Sequence, residues 1–160
     1  MAKPDSRPDS ASEALVAADV ARGVCRLLYH HDQMPLCEAP LGNGRRADVV
    51  ALDGGGQLTL VEIKVSIADL RGDLKWPEYL DYCDRFYWAV PAGFPLHPFE
   101  GDFFMPARAG LIVADRYCAE IVREAATHPL NASRRKAEQL RFARRAARRL
   151  LCMRDPALEQ

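Results

Sequence analysis

The sequence has 160 residues, no long uninterrupted apolar run and only five cysteines. No stretch approaches the roughly 18 apolar residues of a membrane-spanning helix, so we expect no membrane segment. Residues 1–12 are polar and contain proline, unlike the apolar core of a secretory signal. The cysteines are scattered and never form a CxxC pair, which argues against a zinc ribbon or an iron–sulfur cluster. These absences indicate a cytoplasmic protein with free thiols.

The length favours a single α/β domain, which we place at residues 12–154. A disordered tail is expected over residues 1–11 and a shorter tail over residues 155–160. Internal repeats and low-complexity tracts are absent. The patterns of apolar and turn residues predict, in order, a helix (12–29), three strands (33–41, 46–53, 58–64), two short helical pieces (66–72, 76–84), a strand (85–90), a long loop (91–106), two short strands (110–114, 118–123) and a helix (131–153).

The segment from Arg46 to Lys64 is the most informative part of the chain, because it predicts two strands joined by a glycine turn. If residues 54–56 form a three-residue hairpin loop, counting back places Asp48 opposite Glu62. Directly opposed residues share a sheet face, with Cβ atoms about 4.5–5.5 Å apart. Lys64 lies two residues beyond Glu62 and projects from the same face. Because two carboxylates that close repel unless a proton or cation lies between them, the pattern favours a metal site.

The apolar residues around Glu62 predict a buried strand. Leu58 and Leu60 precede it on one face, and apolar residues also line the other face, which is typical of a central strand covered on both sides. The alternative is a buried Asp–Lys–Glu ion-pair cluster without a metal. A slip of one residue in the turn would separate Asp48 from Glu62 and remove the metal argument.

Charge is balanced over the whole chain but concentrated at one end. Residues 133–154 contain nine basic residues and one acid, a net charge of +8, so the rest carries −8. Eight of the nine are arginines, which suit phosphate, although a solvated helix face is the alternative. Helical spacing predicts a basic stripe of Arg134, Arg141, Arg145 and Arg148. It also predicts an apolar seam on the opposite side, facing the core, formed by Ala137, Leu140, Ala143, Ala147, Leu150 and Leu151.

Two levels of family resemblance follow from these motifs. An order of helix, three strands, helix and strand, with an acid in the second strand and E-x-K in the third, resembles the core of the PD-(D/E)xK nucleases. Asp48 matches the D of that motif and residues 62–64 match E-x-K, while Ala47 replaces the proline. The stretches VEIKVSIADLRGDLKWPEYLDYCDRFYWAVP and GLIVAD, with the arginine-rich last helix, resemble the MmcB family of bacterial DNA-repair proteins over about residues 12–153.

The nuclease resemblance implies roles for particular residues. Asp48, Glu62 and the backbone carbonyl of Ile63 would hold Mg²⁺ or Mn²⁺, and Lys64 would position the attacking water. Many nucleases of this type add a glutamate from the first helix, and Glu13 occupies the corresponding place. Glu13 is also a first-turn acid of the kind that the helix dipole favours.

Other residues are expected to contact DNA. Lys75 and Tyr79 stand where RecB-type nucleases carry Q-x-x-x-Y, which implies phosphate contact, although packing in the core is the alternative for Tyr79. The resemblance therefore implies a metal-dependent endonuclease of DNA repair in the bacterial nucleoid, acting on damaged, branched or single-stranded DNA. Repair-protein partners and a homodimer would fit that activity. The competing hypothesis is a nuclease-fold module that binds DNA or a partner but cuts little.

Overall fold

One six-stranded mixed sheet organises the computed structural model, which describes residues 10–159. The strands lie in the order of the sequence. Two neighbouring pairs, β3–β4 and β4–β5, are parallel, and the other three pairs are antiparallel. Most of the predicted tail of residues 1–11 lies outside the described residues. The strands are β1 (Gln33–Pro40), β2 (Arg46–Asp53), β3 (Leu58–Ile63), β4 (Arg85–Pro91), β5 (Gly110–Ala114) and β6 (Ala119–Arg123).

Three α-helices within residues 10–159 flank the sheet, and the predicted order of helix, three strands, helix and strand is confirmed. The segment predicted as a second helical piece is a 3₁₀ helix, Trp76–Tyr82, and a short 3₁₀ turn, Pro156–Glu159, lies in the predicted C-terminal tail. No helix among residues 10–159 has the length and apolar character needed to cross a membrane. The α-helices are α1 (Ser10–His30), α2 (Ile67–Gly72) and α3 (Ala132–Arg154).

The hairpin between β2 and β3 has the predicted register. Val49 pairs with Val61 and Leu52 with Leu58, so continuing the register by one residue places Asp48 opposite Glu62. The Gly56 backbone has φ of +86°, a left-handed conformation that glycine adopts without the steric cost of a Cβ. The loop is closed by a hydrogen bond from the Gly56 N–H to the Asp53 carbonyl. A glycine at this position therefore fixes the alignment on which the site depends.

Both faces of the sheet are covered, and β3 is buried along its whole length as predicted. Helix α1 packs Val20, Val24 and Leu28 against one face. An aromatic cluster covers the other face, in which Trp76 packs against Trp88 with ring centroids 5.0 Å apart. The start of β2 and the end of β3 lie next to each other between these two layers, so side chains there lie at the edge of the buried core.

Helix α3 packs with a different face from the one predicted. The six residues of the predicted apolar seam are exposed, with Leu140 at 60% and Leu150 at 55%. The side toward the sheet instead carries Glu138, Phe142 and Cys152, together with polar side chains that bond to backbone carbonyls. These bonds run from Arg149 to the carbonyls of Cys37 and Glu38, and from Gln139 to that of Gly56. The seam prediction was wrong because carbonyls at the sheet margin outweigh apolar periodicity here.

Asp84 anchors the start of α3 to the sheet. Its fully buried carboxylate accepts hydrogen bonds from the Leu58 N–H at 2.8 Å and the Leu130 N–H at 3.0 Å, and it pairs with Arg135. One side chain thus joins the beginning of β3, the segment before α3 and α3 itself.

We expect Asp84→Ala to lower the free energy of unfolding by about 3 kcal/mol, because two buried N–H groups and a guanidinium lose their acceptor. Urea unfolding measures the change. Asp81→Ala removes an exposed carboxylate from the neighbouring 3₁₀ helix and should change stability by less than about 0.5 kcal/mol. Equal effects of the two substitutions would contradict this role of Asp84.

Candidate active site

Asp48 and Glu62 lie where the hydrogen-bonded ladder of β2 and β3 ends. The last backbone pair is Val49 with Val61, and beyond it the two carboxylates bond across the strands. The Ile63 N–H donates to Asp48 Oδ2 at 2.7 Å, and the Asp48 N–H donates to Glu62 Oε1 at 3.2 Å. Each carboxylate is therefore held by the opposite strand, and the predicted proximity of the two acids is confirmed.

Burial makes a double negative charge at this position unfavourable. Glu62 is only 4% exposed. Burial raises the pKa of Glu62 well above its ordinary range, and the Asp48 charge raises it further. Burial also raises the pKa of Asp48, although the Ile63 N–H and the Lys64 charge oppose this. The pair consequently favours either a proton or a cation beside it.

Lys64 is paired with helix α2. Its Nζ, on a side chain that is 7% exposed, lies 2.9 Å from Asp73 Oδ2 and 3.6 Å from Asp69 Oδ1. Burial acts to lower the pKa of Lys64, but the hydrogen bond to Asp73 and the surrounding acids outweigh it, so the pKa is raised and the ammonium is retained. Within residues 10–159 no ion pair joins Lys64 to Asp48 or Glu62, so the predicted alternative of an Asp–Lys–Glu ion-pair cluster is not formed.

The acids and the lysine line one cleft of about 820 Å³. One wall is a row of small residues from α1, namely Ala14, Ala17, Ala18 and Ala21, with Arg22 at its end. Glu38 and Arg46 line the cleft from β1 and β2, and Asp73 and Tyr79 line it from the segment between β3 and β4. Each alanine contributes only a methyl group to this wall, so the wall itself fills little of the cleft.

The remaining predicted residues divide between the cleft and its surroundings. Tyr79 lines the cleft, and its hydroxyl donates to the Arg46 carbonyl at 3.4 Å. Lys75 is exposed and lies outside the lining. Glu13 is also outside it and lies one helical turn from Ala17, toward the start of α1. The proposed metal role of Glu13 thus stays a prediction that the lining of the cleft does not support.

Sequence reasoning assigned no role in the site to five charged residues of the cleft: Arg22, Glu38, Arg46, Asp69 and Asp73. A signal existed for the two aspartates, because their spacing of four residues places them on one side of α2. No local sequence motif identifies Arg22, because only the packing of α1 on the sheet brings it to the cleft.

A second concavity follows helix α3 and is mostly basic. This basic groove, of about 570 Å³, is lined by Pro40, Ala137, Leu140, Arg141, Arg144, Arg145 and Arg148. Three of the four predicted DNA-binding arginines are therefore together, and Arg144 joins them. Arg134 lies apart from the groove, with its guanidinium 4.4 Å from the centroid of the Tyr82 ring.

The groove and the cleft share the hairpin of β1 and β2. Pro40, which lines the groove, is the cross-strand partner of Arg46, which lines the cleft. Directly opposed residues lie about 4.5–5.5 Å apart, so the two concavities adjoin each other at this strand pair.

Comparison with known proteins agrees with the family resemblance. A model of the family described as DNA repair protein MmcB-like matches residues 3–157. The chain belongs to the MmcB-like family of DNA repair proteins. A solved structure, the SPO1766 protein of unknown function from Silicibacter pomeroyi, is 42% identical, with a TM-score of 0.80 over 88% of this chain and 92% of that chain. A comparison with curated proteins gave no match. MmcB-like membership indicates a role in DNA repair, and the fold of the relative agrees with the mixed sheet and its flanking helices.

We expect Glu62→Gln to stabilise the metal-free protein at neutral pH. Because the folded protein raises the pKa of Glu62, the protonated side chain supports folding fully below the ordinary value of 4.5. That support is lost as the pH rises through the raised pKa of the folded state. Glutamine keeps an oxygen for the Asp48 N–H without the charge, so at about pH 7 the variant should be more stable by roughly 1–2 kcal/mol.

Thermal unfolding in a chelator, followed from acid to neutral pH, measures this difference, which should vanish below about pH 4. Glu120→Gln alters an exposed acid of β6 and should follow the wild-type curve. If Glu62→Gln keeps the wild-type pH dependence, the buried acid is not the source of the instability.

Proposed function

We propose that this MmcB-like protein is a metal-dependent DNA nuclease with a PD-(D/E)xK-type core, acting in DNA repair. The observation that carries the proposal is the pair of buried, cross-bonded carboxylates of Asp48 and Glu62, in a cleft that also contains the buried ammonium of Lys64. Membership in a family of DNA repair proteins makes DNA the expected substrate.

The donor set fits a hard cation. Asp48 Oδ2 and Glu62 Oε1 are used by backbone N–H groups, and no hydrogen bond within residues 10–159 uses Asp48 Oδ1 or Glu62 Oε2. Carboxylate oxygens suit Mg²⁺ and Mn²⁺, and the carbonyl of Ile63 would add a third ligand. No cluster of three histidine, cysteine or acidic side chains suited to a metal occurs in the described part of the chain. Waters and a phosphate oxygen would therefore complete the coordination.

The protein's own groups then have separate tasks. A bound Mg²⁺ or Mn²⁺ would polarise the scissile phosphate and lower the pKa of a bound water. Lys64, kept charged by Asp73, would donate a hydrogen bond to that water and stabilise negative charge that develops on the phosphate. Arg22 and Arg46 lie at the sides of the cleft, where they would bind phosphates flanking the scissile one.

The alternative function is a DNA-binding module with little cleavage. The pairing of Lys64 with Asp69 and Asp73 favours this alternative, because an ammonium held by two acids has fewer protons to offer a water. The absence of Glu13 from the cleft lining also favours it, since the metal would then have only two carboxylate ligands from the described residues. Cleavage assays separate the two hypotheses.

The first test of the metal site is Asp48→Asn. We expect this variant to lose most Mn²⁺ affinity in calorimetry while it keeps the wild-type circular dichroism spectrum, because one of two carboxylate ligands is neutralised. Trp88 pairs with Glu62 across the neighbouring strand, so quenching of tryptophan fluorescence by Mn²⁺ gives a second readout. Asp81→Asn, at an exposed position, should bind as the wild type does. Unchanged Mn²⁺ affinity in Asp48→Asn would refute the site.

The second test concerns the lysine. We expect Lys64→Met to keep Mn²⁺ and DNA binding but to lower the cleavage rate by about 100-fold or more, because a donor to the transition state is removed. Nicked, flapped, gapped and four-way DNA should be offered with Mg²⁺ and with Mn²⁺. Lys75→Met is the matched control, since Lys75 is exposed outside the cleft. If the wild-type protein cuts none of these substrates, the DNA-binding module becomes the better proposal.

The third test concerns the basic groove. Arg144 and Arg148 are exposed in it and lie one helical turn apart. The double variant Arg144→Gln/Arg148→Gln should bind DNA more weakly and flatten the salt dependence by about 1.8 units, because each phosphate contact contributes about 0.9. The loss should not depend on base sequence, because phosphate contacts do not read bases.

A control of equal charge lies on the same helix. Lys136 and Arg154 are exposed outside the groove, and their separation of about five helical turns puts them on a common side. Lys136→Gln/Arg154→Gln should leave the salt slope nearly unchanged. If both double variants weaken binding equally, net charge and not the groove determines affinity.

A further inference from the structure

Two cysteines from different elements meet beside the cleft. Cys25 of α1 and Cys37 of β1 have their Sγ atoms 3.4 Å apart, close enough for a thiol–thiol hydrogen bond. Both side chains are partly buried, and Cys37 also lines the cleft. Neither residue has a part in the proposed metal chemistry, so their juxtaposition requires a separate explanation.

We propose that Cys25 and Cys37 form a reversible dithiol–disulfide couple that links the helical wall of the cleft to its strand wall. The sulfurs need to approach by roughly 1.4 Å to reach a bond length of about 2.05 Å. Cys25 lies one turn after Ala21, which lines the cleft, and Cys37 lines the cleft next to Glu38. The bond would therefore fix α1 to β1 at one side of the cleft. This proposal does not depend on nuclease activity.

The surroundings of Cys37 favour it as the attacking thiol. Its pKa is lowered to about 7, chiefly because Cys25 donates a hydrogen bond to it, while burial acts in the opposite direction and the Arg149 charge assists. Arg149 is fixed in position by its bonds to the carbonyls of Cys37 and Glu38. Glu38 has φ of +48°, and this local irregularity of β1 lets two successive carbonyls reach one guanidinium.

A hydroperoxide supplies the oxidising equivalents. The Cys37 thiolate attacks a peroxide oxygen, the O–O bond breaks, and Cys37 becomes a sulfenic acid while hydroxide leaves and takes up a proton. Cys25 then attacks that sulfur; the S–S bond forms, and water leaves with the Cys25 proton. In sum, two thiols and one hydrogen peroxide give one disulfide and two waters, and a dithiol reductant reverses the change.

Peptide mapping of the full chain tests the proposal directly. Arg26 separates the two cysteines, so trypsin releases Cys25 in GVCR and Cys37 in the peptide that follows Arg26. After hydrogen peroxide and alkylation of free thiols, we expect these peptides to be linked, and dithiothreitol to separate them. Of the five thiols, the two in the linked peptides should be lost. The other three, including the exposed Cys118, should remain alkylable.

Thermal unfolding gives a second measurement. Cys118→Ser removes the exposed thiol and so prevents links between chains. In this variant the oxidised protein should unfold roughly 5–10 °C higher than the reduced protein, because the link restricts the unfolded chain. Adding Cys25→Ser should abolish both the linked peptides and the shift.

One result would overturn the proposal without any variant. If peroxide oxidises Cys118 in the wild-type protein while Cys25 and Cys37 are recovered as separate alkylated peptides, their contact is packing only. Recovery of Cys37 as a sulfinic acid without a link would overturn it as well.

Discussion

The alignment of β2 with β3 is the constraint on which the rest of the site depends. The glycine-closed loop fixes which residues face each other, and the backbone ladder stops one pair before Asp48 and Glu62. Their side chains then replace the ladder by accepting the N–H groups of the opposite strand. The acids consequently cannot swing away to relieve their repulsion without leaving buried N–H groups unsatisfied. The electrostatic tension at the site is a direct result of hairpin geometry.

The parallel connection from β3 to β4 completes the site. A chain that leaves β3 must cross over before it can run parallel in β4, and the crossover carries α2 and the 3₁₀ helix. Asp69 and Asp73 of this segment pair with Lys64 just after the end of β3, and Tyr79 of the same segment lines the cleft with them. In α/β sheets the carboxyl ends of parallel strands are common positions for binding sites. The antiparallel hairpin supplies the acids and the parallel crossover supplies their surroundings.

Local patterns were sufficient to predict the elements and the central pair of acids. Periodicity and turn residues located the strands, and counting from residues 54–56 gave the opposition of Asp48 and Glu62. Contacts between distant segments were less predictable. Arg22 reaches the cleft, and Cys25 reaches Cys37, only because α1 packs over the sheet.

The orientation of α3 shows the physical limit of such patterns. The spacing of Leu140 and Leu151 predicted a buried seam, but both are exposed. Apolar spacing contains no information about backbone carbonyls that distant segments of the chain offer to the helix. Arg149 and Gln139 donate hydrogen bonds to such carbonyls on β1 and in the hairpin loop. These bonds hold that side of α3 toward the sheet. Spacing placed three of the four arginines of the predicted stripe in the groove, because helical geometry alone brings Arg141, Arg145 and Arg148 together, whereas Arg134 lies apart from it.

The polar attachment of α3 has a consequence for local unfolding. When α3 detaches, it breaks hydrogen bonds to carbonyls and exposes fewer of its own apolar side chains, chiefly Phe142 and Cys152, than a helix packed by a continuous apolar seam would. The free energy of that opening should therefore depend only weakly on denaturant, in contrast to the opening of the sheet. Amide hydrogen exchange would then separate α3 as a cooperative unit of its own, whose opening also releases the Cys37 and Glu38 carbonyls at the side of the cleft.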